Sequence, residues 1–164
     1  MARKRNPYVI VLQGVSGAGK STYAKKLVRL ASLRGRGNNV VVVSADDFFM
    51  VDLGAGPQYR FDFTKLGEAH NACFRRFLSL LDQQESIDLI IVDNTNTTSV
   101  DVAPYMAAAA ALGWEAEIHR ILCDPEVAHA RNQHGVMING VRKMAARMVN
   151  DRLPPWWKVI EVQA

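Results

Sequence analysis

Residues 9–27 read VIVLQGVSGAGKSTYAKKL. The segment Tyr8 to Gln13 is a short, nearly unbroken apolar run, the pattern of a strand buried on both faces. It stops at Gly14. From Ser21 to Leu33 the residues Tyr23, Ala24, Leu27, Val28 and Ala31 recur at helical spacing. Between strand and helix, Gly14, Gly19, Lys20 and Ser21 satisfy G-x-x-x-x-G-K-[ST]. Glycines at such a junction let backbone N–H groups converge on phosphate oxygens, and the following helix adds its positive N-terminal end.

That reading assigns a polyphosphate cradle to Gly14, Ser16, Gly17, Ala18, Gly19, Lys20, Ser21 and Thr22. Lys20 is expected to reach the β- and γ-phosphates, and the Ser21 hydroxyl to ligate Mg²⁺. A nucleoside triphosphate, ATP, and Mg²⁺ are the implied cofactors.

Working outward, further buried strands are predicted at Val40–Ser44 and Ile87–Val92, and a more alternating one at Glu115–Leu122. Helices are predicted over Thr64–Gln84, Val102–Leu112 and Asn139–Asp151. Asp124-Pro125 reads as a helix start, with Asp as N-cap and Pro at the first position. A last strand is expected within Trp157–Val162, after Pro154-Pro155. RGRGNN, residues 34–39, breaks the first helix, and Met50–Arg60, with Gly54, Gly56 and Pro57, reads as a mobile loop. Strands alternating with helices imply an α/β three-layer sandwich with a mainly parallel sheet. Neither a repeat nor a linker divides the 164 residues, so one domain over 1–164 is expected.

With 49% hydrophobic and 22% charged residues, the composition is that of a folded globular chain rather than a disordered one. A net charge of +4 permits a nucleic-acid or nucleotide partner without requiring one. Cys73 and Cys123 lie apart from any Cys or His at metal spacing and read as reduced core thiols. No stretch is long and apolar enough to span a membrane. GVSGAGKS interrupts the apolar run after the basic N-terminus, which argues against a signal peptide. A cytoplasmic protein is expected.

In an open α/β sheet, ligands bind at the carboxyl ends of the strands. Asp46 and Asp47 stand just past the second strand, where a carboxylate can accept the proton of an attacking hydroxyl. Asp93 ends the third strand, where an acid can help hold Mg²⁺. Asn94, Thr95 and Asn96 follow it and could hold a substrate phosphate or base, or form a polar turn. Arg131 is placed to neutralise triphosphate charge in the transition state. Residues 125–150, with Arg142, Lys143 and Arg147, are expected to form a two-helix lid that excludes water. His134 is read as a turn or packing histidine. Phe48, Phe49, Tyr59, Phe61 and Phe63 cluster around the loop. Some, Phe49 among them, could stack on a base, whereas Phe61 and Phe63 read as core. Trp156 and Trp157 read as packing anchors.

GVSGAGKST, SADDFF, IIVDNTN, PYM and ARNQHGV occur in that order between Val9 and Val149. Together they resemble the polynucleotide-kinase-like branch of P-loop kinases, which includes 5′-hydroxyl polynucleotide kinases and bacteriophage kinases of hydroxymethyl pyrimidines in DNA. The resemblance implies an adenylate-kinase-like core with Asp46 as general base and Arg131 as the lid arginine. It also gives Lys20 and Ser21 to the phosphates and Mg²⁺. The implied acceptor is DNA or RNA. Many relatives carry an arginine just before the aspartate pair, where this chain has Ala45, and often a basic residue shortly after it, where this chain has Phe48, Phe49 and Met50. An acceptor phosphate must then be held by other groups. Two alternatives stay open: a nucleoside or riboside kinase, and an ATP-dependent switch with no phosphorylated acceptor.

Overall fold

The computed structural model describes residues 7–33, 39–54 and 56–164. In chain order its elements are β1 (Tyr8–Gln13), α1 (Lys20–Leu33), β2 (Val40–Val43), β3 (Met50–Asp52), β4 (Pro57–Tyr59), α2 (Leu66–Leu81), β5 (Leu89–Val92), α3 (Ser99–Ala111), β6 (Glu115–Leu122), α4 (Pro125–Arg131), α5 (Ile138–Asn150) and β7 (Val159–Gln163). Two 3-10 turns, Ala45–Phe49 and Phe63–Lys65, precede β3 and α2.

Five strands form one sheet in the order β2-β5-β1-β6-β7, and every pairing in it is parallel. β1 sits at the centre because both of its faces are apolar. Val9 and Val11 bury against α2 and α3 on one side, Ile10 and Leu12 against α1 on the other. Phe77 and Leu81 of α2 and Val102 of α3 lose all solvent contact in the first of these layers. This is the expected α/β three-layer sandwich. A parallel sheet brings the carboxyl ends of its strands to one edge, so the segments after β1, β2, β5 and β6 converge there.

Several boundaries differ from the sequence expectation for local reasons. α3 starts at Ser99 rather than Val102, because Thr98 caps it and Asp101 bonds back to the Thr98 N–H. The predicted helix at Thr64 instead opens as a 3-10 turn capped by Asp62, and α2 proper runs from Leu66 to Leu81. The Asp124 cap and Pro125 start of α4 are as expected, with Asp124 Oδ1 accepting from the Glu126 N–H at 2.8 Å. The last strand starts at Val159, two residues late. Residues 34–38 of the helix-breaking RGRGNN segment lie outside the described residues.

The expected loop over Met50–Arg60 is instead an antiparallel ribbon. Met50 pairs with Tyr59, Val51 with Gln58 and Asp52 with Pro57. Gly54, at φ +88°, and Gly56, at φ +97°, supply the left-handed conformations at its tip. The aromatic expectation reverses as well. Phe49 is core, at 3% exposure, whereas Phe61 and Phe63 are 49% and 75% exposed. Trp157 packs against the core, but Trp156 is 79% exposed and anchors nothing there. Cys73 is buried and Cys123 half-buried, and both thiols are free. Among the described residues, no helix is long and apolar enough to cross a membrane.

Candidate active site

The loop between β1 and α1 wraps the mouth of a cleft of about 660 Å³. Ser16, Gly17, Ala18, Gly19, Lys20, Ser21 and Thr22 line it. Gly14 lies behind them, and its N–H is held by the Thr95 carbonyl at 2.9 Å. Gly17, at φ +82°, is required for a second reason: a Cβ there would stand 1.9 Å from the Ala128 carbonyl oxygen. The loop therefore packs directly on the last turns of α4. The Ser16 hydroxyl points to Asn132 Oδ1 at 3.5 Å, which ties the loop to the segment after α4.

Lys20 is only 9% exposed, and its ammonium donates to the Val15 carbonyl at 2.8 Å. Burial lowers its pKa to about 8, against the charges of Asp93 and Asp46, which raise it. Burial likewise pushes the Asp93 carboxyl up, while a hydrogen bond from Ser21 and the Lys20 charge pull it down. A carboxylate held up by desolvation, with a hydroxyl on it, suits a hard cation. Ser21 and Asp93 would supply oxygen ligands, and a magnesium ion would take the rest from phosphate and water. No group of three or more His, Cys, Asp or Glu that could hold a metal occurs among the described residues. The donor set therefore fits an ion shared with a phosphate ligand rather than an all-protein cage.

The two acidic neighbours after β2 part company. Asp46 lines the cleft, its side chain half exposed. Asp47 turns to α2 and pairs with Arg76 at 2.8 Å. The Ser44 hydroxyl accepts from the Asp46 N–H at 3.2 Å and donates to the Asp93 carbonyl at 2.9 Å, which links the ends of β2 and β5. The Tyr59 hydroxyl donates to Asp46 Oδ1 at 3.1 Å, and His134 Nε2 stands 3.8 Å from Oδ2. Arg131, at the end of α4, lines the same cleft with Gln133 and His134.

Like Asp47, three other residues read as substrate contacts, Phe49, Asn94 and Asn96, make structural contacts, although Asn94 also lines the cleft. Phe49 is buried, as noted. Asn94 Oδ1 accepts from the Ala45 N–H at 2.8 Å, and its amide donates to the Tyr105 hydroxyl at 3.3 Å. Asn96, in the left-handed region at φ 45°, donates to the Leu12 carbonyl at 2.8 Å. Buried amides must find such partners. Asn94 thus holds the turn that carries Asp46. Asn94→Ala is expected to cost about 1–3 kcal/mol of stability in urea unfolding, from the stranded Ala45 N–H. Thr95 remains at the cleft wall.

Sequence reasoning gives Asn132 no role of its own, and reads Tyr59 only as one of the loop aromatics, not as a partner of Asp46. Asn132 organises the turn after α4, accepting from the His134 N–H at 2.7 Å and donating to the Val136 carbonyl at 3.1 Å. Its signal was present in RNQHG, an Asn a few residues before a glycine. The bond from the Tyr59 hydroxyl carried none, because its partner Asp46 is reached only through the ribbon. Arg142, on the second of the two expected lid helices, pairs with Glu126 at 2.9 Å and joins α5 to α4.

A family model described as AAA domain matches residues 9–149. The chain belongs to the AAA domain family. This AAA domain chain is 33% identical over 111 residues to NEDD4-binding protein 2 of Homo sapiens, a match covering 65% of this chain and 6% of that protein. It spans only between 6% and 11% of the length of the curated relatives it matches. Among solved structures it is similar to the APS kinase CysC of Mycobacterium tuberculosis in complex with AMPPNP and APS, at TM-score 0.59 and 15% identity, covering 97% of this chain and 89% of that one. It is also similar to Chaetomium thermophilum Kti12 in complex with ADP-AlF3, at TM-score 0.66 and 14% identity, covering 94% and 88%. The AAA domain chain has the P-loop kinase fold.

Proposed function

We propose that the protein is an ATP-dependent kinase of the polynucleotide-kinase-like branch. It transfers the γ-phosphate to a hydroxyl on nucleic acid, either a polynucleotide 5′-hydroxyl or the hydroxymethyl group of a modified pyrimidine in DNA. The observation that carries the transfer reading is Asp46, a half-exposed carboxylate that lines the cleft with Lys20 and, unlike Asp47, is paired with no arginine. A phosphate-binding switch has no need of an acid facing the cleft there, whereas transfer to a hydroxyl does.

The loop N–H groups and Lys20 bind the phosphates and offset their charge. Ser21 and Asp93 would hold Mg²⁺, which would supply Lewis-acid neutralisation of the phosphates. Asp46 takes the proton as the acceptor oxygen bonds to the γ-phosphorus. The bond to the bridging oxygen breaks, and ADP leaves with that electron pair. Arg131 supports the charge on the transferring group. α4 and α5 act as the lid of a single kinase domain and keep water from the γ-phosphorus. The net charge of +4 and the motif order from GVSGAGKST to ARNQHGV support a nucleic-acid acceptor.

The test offers γ-labelled ATP and Mg²⁺ with three acceptors: a 5′-hydroxyl oligonucleotide, DNA containing 5-hydroxymethyluracil with blocked 5′ ends, and free nucleosides. Label is expected in one of the two nucleic acids. Label in nucleosides alone would move the protein to the small-molecule kinases. Release of phosphate with no labelled acceptor would overturn the kinase reading in favour of a switch.

A further inference from the structure

The ribbon β3–β4 grows directly out of the turn that carries Asp46, and its return strand is bonded back to that turn, Arg60 N–H to Phe49 carbonyl at 2.8 Å. Buried Phe49 is the footing for two rings above it. Its ring lies 5.0 Å from Phe61 and 6.1 Å from Tyr59. Tyr59 and Phe61 run parallel to within 14°, their centroids 6.5 Å apart, and both are exposed. His134 stands edge-on to Tyr59 at 5.2 Å. The Tyr59 hydroxyl bonds Asp46, and His134 Nε2 faces the same carboxylate. An exposed aromatic surface is costly to keep in water, and this one is fastened to the proposed base.

Charge points to the occupant. Tyr59-Arg60-Phe61-Asp62-Phe63-Thr64-Lys65 interleaves rings with cations, and Arg60 and Lys65 are exposed. Asp62, the acid among them, is committed to the Thr64 N–H and hydroxyl. Rings that take base faces beside cations that take phosphates are what a single strand requires. Resting on the kinase reading of Asp46, we propose that Tyr59 and Phe61 form the acceptor platform, on which an unpaired base of a nucleic-acid strand stacks. The stack brings the hydroxyl of the acceptor to Asp46.

Tyr59 then has two separable parts. Its ring is platform. Its hydroxyl is a positioning group that occupies Oδ1, so that the acceptor meets Oδ2, which has only His134 Nε2 near it, at 3.8 Å. Burial and the Asp46 charge push the Tyr59 hydroxyl well above its usual pKa, so it stays a donor.

The experiment titrates the whole protein into a single-stranded oligonucleotide with a free 5′-hydroxyl and 2-aminopurine at its first nucleotide, and follows both fluorescence quenching and labelled transfer. Wild type is expected to quench. Phe61→Leu keeps apolar contact with Phe49 but offers no π face, and is expected to weaken binding about 5- to 150-fold. Phe61→Trp is expected to restore it. Tyr59→Phe is expected to keep the acceptor KM and lower kcat.

Quenching unchanged in Phe61→Leu overturns the platform, and if transfer persists the kinase reading stands. Quenching lost in Phe61→Leu, with no transfer by wild type to this strand or to the 5-hydroxymethyluracil DNA, keeps the platform and overturns the kinase reading. Absence of both in wild type overturns both, and leaves the rings as a protein contact. Equal, salt-independent quenching of the free 2-aminopurine nucleoside overturns the strand as occupant.

Discussion

Asp46→Asn is expected to lower the rate of phosphoryl transfer by about 10²- to 10⁴-fold, the usual contribution of a positioned general base. Nucleotide affinity is expected to hold, because the loop N–H groups, Lys20 and Ser21 all remain in place. Folding is expected to hold too. The Asn carbonyl can still accept from Tyr59, and the backbone bond to Ser44 involves only the residue's N–H. Single-turnover transfer and nucleotide titration on the same preparation check this. Full transfer activity in a folded Asp46→Asn protein would remove Asp46 from the mechanism and redirect attention to Asp93. Asp47→Asn is the matched control. Its carboxylate is spent on Arg76, so a change there is expected to leave the rate within about 3-fold, as for other exposed ion pairs.

Lys20→Met is expected to weaken ATP binding about 10- to 100-fold, the worth of one charge-assisted bond to phosphate. The same change is expected to lower transfer about 10²- to 10³-fold, as loss of a transition-state donor does. The free protein should not lose stability. Burial of its ammonium outweighs the Val15 carbonyl bond and the charges of Asp93 and Asp46, and methionine fills a similar volume without a charge to desolvate. The pH dependence gives an independent check. Lys20 titrates near 8 in the folded protein and near 10.5 when unfolded. Between those values the unfolded chain holds the extra proton, so wild-type stability rises with pH across that window. Below 8 the contribution is absent. Thermal melts from pH 7.5 to 10 should show wild type gaining on Lys20→Met as pH rises. Parallel curves for the two proteins would contradict the buried ammonium.

The strand, loop and helix at residues 8–33 were legible because each depends on spacing along a short stretch. The same holds for β5, for β6 and for the Asp124 cap of α4. Side-chain duties were less legible. Asp46 and Asp47 are adjacent and chemically identical, and only the position of Arg76 on α2 separates them. Asn94 and Asn96 read as binding groups because they stand at the strand ends. Their partners, the Ala45 N–H and the Leu12 carbonyl, lie 49 and 84 residues away. Phe61 and Phe63 were misread because an isolated phenylalanine carries no sign of the face it will present.

The sequence by itself thus determined the α/β class, the phosphate-binding loop with Lys20 and Ser21, and acids at the ends of β2 and β5. The tertiary structure alone decided which acid enters the cleft, that Tyr59 and His134 meet it, and that the ribbon's rings are exposed. Periodicity and glycine placement act through neighbouring residues and need no partner from afar. The role of a polar or aromatic side chain is set by what folding brings within reach of it, and by how much water that contact excludes.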